Sequence, residues 1–278
     1  MRDSKAVNAD LVQLKVNDIE MALRDQGSGD AVVLVHGFPF SHTMWRQQWD
    51  VLSRNHRVIV PDLRGFGQSD VTSGTVTMAQ FADDLAAMLD VLDIGDVTFC
   101  GLSMGGYIAW EFWRRHGHRV SKFILCDTRA VADDELIARG RQWMVSRLLQ
   151  EGTGFVPETM LPKLFSPHAI ETTMDVVDEA RDSILNAPVE GMAASLRGMA
   201  QRTDASSLLA EVNVPALLLA GEHDQISPCT EMQQIAATMP QGTFVSIERA
   251  AHVPPMETPE EFNTAVLAFL DQRSSDQE

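Results

Sequence analysis

The sequence predicts an α/β fold: a mostly parallel eight-stranded sheet with helices on both faces, and a block of helices inserted before the last two strands. Three observations predict it. Short apolar runs alternate with longer segments of helical periodicity over the first 127 residues. From about residue 129 to 205 that rhythm stops, and helix-like stretches follow one another with no convincing strand. From residue 214 onward the strand–helix alternation returns. Alternation of this kind means parallel strands joined by helical crossovers. The reading divides the chain into a core of residues 1–128 and 206–278 and a helical cap of residues 129–205.

The elements follow in order. "LVQLKV" (11–16) and "IEMALR" (19–24) alternate apolar and polar residues and meet at "ND", which signals a hairpin. "AVVLVHG" (31–37) is an unbroken apolar run, as in a strand covered on both faces. An amphipathic stretch around 44–54 leads to strand "HRVIVPD" (56–62). Residues 78–93 carry apolar side chains at helical spacing, with Thr77 placed to cap them. Strand "VTFC" (97–100), a helix from Met104 to Arg115 and strand "KFILCD" (122–127) follow. The cap reads as helices over 133–150, 155–165, 168–186 and 189–202. "VPALLLAGEHD" (214–224) and "TFVSIE" (243–248) are strands, followed by helices over 228–238 and 259–271 respectively.

Composition narrows the function classes. Of 278 residues, 45% are hydrophobic and 22% charged, which is enough apolar material for a sizeable core. The formal net charge of −17 repels nucleic acid and anionic lipid, so neither is expected as a partner. No apolar run reaches the ~20 residues of a membrane span. The opening "MRDSKAVNAD" lacks the apolar centre of a signal peptide, and "DQRSSDQE" reads as a frayed polar tail. Cys100, Cys126 and Cys229 are three cysteines without a CxxC spacing, which fits a reducing, cytoplasmic setting. Nothing in the sequence demands an oligomer.

The stretch "VTFCGLSMGGYIAW" (97–110) carries the chemistry. A strand that passes through Gly101-Leu102-Ser103-Met104-Gly105 into a helix has the form of a nucleophile elbow. The turn lifts the serine oxygen clear of the sheet edge, at a helix N-terminus that favours developing negative charge. A β-carbon at Gly101 or Gly105 would strike the neighbouring strand or helix.

A serine hydroxyl needs a base. Of the five histidines after Ser103, His116 and His118 lie at the far end of the elbow's own helix, and His168 is in the cap. His223 ends a strand. His252 lies in "RAAHVPP", a loop that falls over the same sheet edge as the elbow, and is the expected base. Two strand-end aspartates qualify as the acid that orients it: Asp224 is preferred and Asp127 is the alternative. Glu222 and His223 beside Asp224 have no second histidine at ligand spacing, so no metal is expected. The oxyanion requires two N–H donors. Met104 supplies one and Phe38, in the loop "HGFPFSHTMW" (36–45), the other; His36 reads as an anchor for that loop.

Taken together, "HGFP", "PDLRGFGQSD", "GLSMGG", "GEHDQISP" and "AAHVPPMETPEEF" resemble the α/β-hydrolase superfamily over nearly the whole chain. The resemblance is strongest to the branch of 3-oxoadipate enol-lactonases, cofactor-free perhydrolase-like esterases and small carboxylesterases. It implies an α/β-hydrolase fold, a catalytic triad of Ser103, Asp224 and His252, an oxyanion hole of Phe38 and Met104, and no cofactor. Epoxide hydrolases and haloalkane dehalogenases share the first two segments but use an aspartate at the elbow, where this chain has Ser103.

The expected activity is hydrolysis of a small ester or lactone through an acyl-enzyme. C–C bond hydrolysis, perhydrolysis and non-catalytic ligand binding on the same fold are the alternatives. For substrate contacts, Trp143 and Met144 in the cap and Val253 beside the base are candidates. Arg129, after the 122–127 strand, would either clamp a substrate carboxylate or pair with Asp133 or Asp134; the local ion pair is preferred.

Overall fold

Residues 11–272 of the chain are described in a computed structural model. The polar start and the last six residues of the polar tail lie outside them. The alternating segments around Asn17-Asp18 form the expected hairpin of Val12–Val16 (β1) and Ile19–Gly27 (β2). There follow Ala31–Val35 (β3), Arg46–Leu52 (α1), Arg57–Pro61 (β4) and Met78–Val91 (α2). The Thr77 side chain accepts the Gln80 N–H at 3.1 Å and caps α2. Val97–Leu102 (β5), Met104–His116 (α3) and Val120–Cys126 (β6) complete the first half.

Five helices come next: Glu135–Glu151 (α4), Val156–Leu164 (α5), Pro167–Thr172 (α6), Met174–Asn186 (α7) and Val189–Ala200 (α8). The single helix expected over 168–186 is therefore two. Thr172 and Thr173 turn their hydroxyls back onto the His168 and Ala169 carbonyls at 2.7 and 2.8 Å, and Thr173 leaves the helical region. Ala216–Gly221 (β7), Cys229–Thr238 (α9), Gly242–Ile247 (β8), Pro254–Glu257 (α10) and Pro259–Leu270 (α11) end the fold.

The strands pair in the order β1-β2-β4-β3-β5-β6-β7-β8. Among the described strands, β2 alone runs against the others. From β3 the chain crosses outward to β4, then returns past β3 to β5. Right-handed crossovers in opposite directions put α1 on one face and α2, α3 and α9 on the other. Strand order reverses between β3 and β5, and open sheets of this kind bind ligands at the carboxyl ends of the strands beside that point. All six residues of β5 are buried, as a central strand covered on both faces requires.

The inserted helices are bolted to the core. Helix α8 packs along α4 and also sits directly on the loop before α2. A β-carbon at Gly191 would collide with the Gly65 carbonyl, and one at Gly198 with the Val76 carbonyl. The Val76 N–H donates to the Ala194 carbonyl at 3.1 Å across the same contact.

Candidate active site

Ser103 stands between β5 and α3 at φ 54° and ψ −109°, a region that L residues rarely occupy. Four bonds to its backbone hold it there. Its N–H donates to the Cys126 carbonyl at 2.9 Å; its carbonyl accepts the Thr128 hydroxyl at 2.8 Å and the Gly106 and Tyr107 N–H groups at 2.9 and 3.2 Å. The flanking glycines permit the turn. A β-carbon on Gly101 would lie 2.5 Å from the Gly105 carbonyl oxygen of α3, and one on Gly105 would run into the Val35 carbonyl of β3. The strain is over-determined by its surroundings, and it aims Oγ away from the sheet.

His252 reaches that oxygen from the loop after β8. Its Nε2 lies 2.9 Å from Ser103 Oγ, and its Nδ1 lies 2.8 Å from Asp224 Oδ2. A carboxylate only accepts, so Nδ1 carries the proton and Nε2 faces the serine as an acceptor. Asp224 Oδ1 also takes the Ile226 N–H at 2.7 Å. Histidine and aspartate are almost fully buried, and the serine is partly exposed. Thus Ser103, His252 and Asp224 form one hydrogen-bonded line, while Asp127, the alternative acid, makes no bond to the imidazole.

The other histidines have different occupations. His116 Nε2 is 2.8 Å from Asp83 on α2, and His223 sits on the surface beside Glu222. His36 is buried, with Nδ1 donating to the Gly37 carbonyl at 3.0 Å and Nε2 accepting the Leu63 N–H at 3.1 Å. Burial holds its pKa down at about 4, so the ring is neutral and ties the 36–45 loop to the segment after β4.

That loop carries Phe38. Neither the Phe38 nor the Met104 N–H donates to a backbone carbonyl among the described residues. Met104 opens α3, where first-turn N–H groups have no partner within the helix. A second brace was not apparent from sequence: Asp62 Oδ1 accepts both the backbone N–H and Nδ1 of His42 at 2.7 Å.

Glu257 also escaped sequence reasoning. Its Oε1 accepts the Ala251 N–H at 2.8 Å and its Oε2 accepts the Ser166 N–H at 2.7 Å. The His252 N–H donates to the Leu164 carbonyl at 3.0 Å. The histidine loop is therefore fixed to the end of α5 and the start of α6. Burial raises the Glu257 carboxyl above its ordinary pKa, against the pull of these N–H donors. The sequence signal was a lone glutamate two residues after a Pro-Pro pair, which says nothing about what it faces.

The candidate substrate contacts fare differently. Arg129 pairs with Glu231 on α9, with Nε 2.9 and 3.1 Å from the two carboxylate oxygens. It does not pair with Asp133 or Asp134, because Asp133 is taken by Arg141 and Arg202 and Asp134 caps α4. Trp143 is 55% exposed, with its ring edge on Phe155 and the Arg147 guanidinium above it. Two residues from buried Val145, it lies on the opposite side of α4, about 200° around the helix. Met144 sits at the margin of the core, and Val253 is fully buried as the residue that leads into α10. Asp127, Asp224 and His252 each present one ligand-type atom within 4.8 Å of the others, but Asp224 and His252 are already hydrogen-bonded to each other. Among the described residues no helix is long and apolar enough to cross a membrane.

A family model for the alpha/beta hydrolase fold matches residues 30–259. Among curated proteins, 3-oxoadipate enol-lactonase 2 of Acinetobacter baylyi is 27% identical over 261 residues, covering 92% of this chain and 95% of that one. Among solved structures, a thermophilic esterase from Thermogutta terrifontis, with malate bound, superposes with a TM-score of 0.92 at 43% identity, covering 94% of this chain and 98% of that one. The enol-lactonase from Burkholderia xenovorans LB400 gives a TM-score of 0.88 at 27% identity, covering 94% and 100% of the two chains.

Proposed function

As the chain belongs to the α/β-hydrolase family, we propose that it cleaves small carboxylic esters or lactones through an acyl-enzyme on Ser103. The observation that carries this reading is the hydrogen-bonded line from Ser103 through His252 to Asp224, at 2.9 and 2.8 Å, with its serine held at positive φ over a helix N-terminus. The esterase and enol-lactonase identities of the relatives agree with it.

In the proposed reaction Ser103 Oγ attacks the acyl carbon while His252 Nε2 takes its proton. Asp224 keeps the imidazole in the Nδ1–H tautomer and stabilises the cation. The N–H groups of Phe38 and Met104 receive the oxyanion, a type of contact worth about 3–4 kcal/mol per donor in the transition state. His252 returns the proton to the leaving oxygen, and water then releases the acid by the same steps. No cofactor enters this scheme.

Residues 129–205 act as a cap over the site in this reading, with residues 1–128 and 206–278 as the core. Arg129 is a poor clamp for a substrate carboxylate, since Glu231 already sets a negative charge against its Nε. Neutral acyl groups are therefore the favoured substrates. The test is a panel of p-nitrophenyl esters of increasing acyl length, neutral lactones and a carboxylate-bearing enol-lactone. Short neutral esters should turn over fastest, and Ser103→Ala should remove the activity. Selective turnover of the charged lactone would overturn the substrate preference. Undiminished rates in Ser103→Ala would overturn the mechanism.

A further inference from the structure

Asp127 is a carboxyl group with no outlet for its charge. It follows β6 at φ 46° and is fully buried. Its Oδ1 accepts the Gly221 N–H at 2.8 Å, while Oδ2 receives no hydrogen-bond donor among the described residues. An oxygen of Asp127 lies within 4.8 Å of one on Asp224 and of a ring nitrogen of His252. Two carboxyl groups this close in a buried site do not both ionise; one keeps its proton.

The hydrogen bonds decide which one. Asp224 receives the Ile226 N–H on Oδ1 and the His252 N–H on Oδ2, so both of its oxygens already serve as acceptors. Asp127 receives a single N–H, and its bare Oδ2 is the natural seat for a proton. The titratable groups around Asp127 are Asp224 on the loop after β7, Cys229 at the start of α9, Cys126 at the end of β6, and His252 beyond Asp224. The Cys229 thiol lies 3.2 Å from the Gly221 carbonyl and donates to it. No lysine or arginine among the described residues forms an ion pair with Asp127. Burial and then the Asp224 charge push its carboxyl far above the ordinary range, in agreement with the geometry.

We propose that Asp127 remains a neutral carboxylic acid at working pH and donates a hydrogen bond from Oδ2 to Asp224, as a positioning residue for the acid that holds His252. The inference rests on the reading of Ser103, His252 and Asp224 as the catalytic set. It assigns to the rear of the site a fourth side chain that touches neither substrate nor Ser103. An asparagine in this position is a close copy of the protonated acid: its carbonyl can accept the Gly221 N–H and its amide can donate to Asp224. An ionised aspartate has no such mimic.

Asp127→Asn therefore separates the two states. In the wild type at about pH 8, infrared spectra should contain a C=O stretch of a protonated carboxylic acid that is missing from Asp127→Asn. Absence of that band overturns the proposal, and the reading needs no turnover. In kcat/KM against pH, the acidic limb of Asp127→Asn should coincide with that of the wild type, because no charge has been removed. If Asp127 were ionised, the substitution would delete a negative charge beside His252 and move the limb down by about two pH units; that result overturns the proposal. Asp127→Ala, which lacks the donor, should lower kcat by about 10- to 100-fold with KM little changed, and should move the limb to higher pH. Loss of the serine mechanism would appear separately, as unchanged rates in Ser103→Ala, and would leave the infrared result standing.

Discussion

His36 shows how one buried side chain ties site geometry to pH. Both ring nitrogens are occupied, and burial holds the pKa at about 4 against an ordinary 6.5. Because the folded value is depressed, the unfolded chain binds the extra proton first as pH falls. Stability therefore rises with pH between about 4 and 6.5 and is lost in acid, by about 3 kcal/mol from this group at the lower end. His36→Gln keeps an acceptor for the Leu63 N–H and removes the titration. Its urea-unfolding free energy should fall less steeply between pH 6.5 and 4 than that of the wild type; an equal slope would show that His36 does not titrate as described. At this scale Ser103 and His252 were legible, because each is set by a short local pattern: glycines around a strand–helix turn, and a loop histidine after a strand. Glu257, Asp62 and the partner of Arg129 were not. Each is defined by a partner 20 or more residues away in the chain, and no spacing encodes that.

Among the elements, α8 shows what separates periodicity from packing. Its apolar pattern announces a helix, but the contact with the Gly65 loop depends on Gly191 having no side chain. Gly191→Ala drives a β-carbon into the Gly65 carbonyl and should cost more than about 2 kcal/mol. Gly140, within α4, faces open space, so Gly140→Ala should stabilise by about 0.5–1 kcal/mol. Thermal unfolding of the two variants checks this; equal effects would contradict the described seating of α8. The strand and helix sequence of the core was readable because each element has its own period and its own punctuation. The division of 168–186 into α6 and α7 was not, since threonines fit an amphipathic helix until their hydroxyls bond back to the carbonyls. The bonds from Glu257 and Leu164 likewise tie the end of α5 and the start of α6 to the loop that carries His252.

Over the whole molecule, the reversal of strand order between β3 and β5 brings the 36–45 loop, the elbow and the loops after β7 and β8 to one edge of the sheet. This convergence was legible from the order of strands and crossovers, because handedness leaves few alternatives. The net charge of −17 acts at the same scale. It should repel an anionic substrate more than a neutral one. Raising ionic strength from about 0.01 to 0.15 M shortens the screening length from ~30 to ~8 Å, so kcat/KM for a carboxylate-bearing lactone should rise while that for a neutral ester stays flat. A parallel response would show that the charge does not reach the site. The central claim is that Ser103, activated by His252, is the nucleophile. Intact-mass measurement after treatment with a fluorophosphonate reads this directly. One adduct per chain, located on the peptide that contains Ser103 and lost in Ser103→Ala, is the expected result. An adduct on another residue, or none on a folded wild-type protein, would contradict the account.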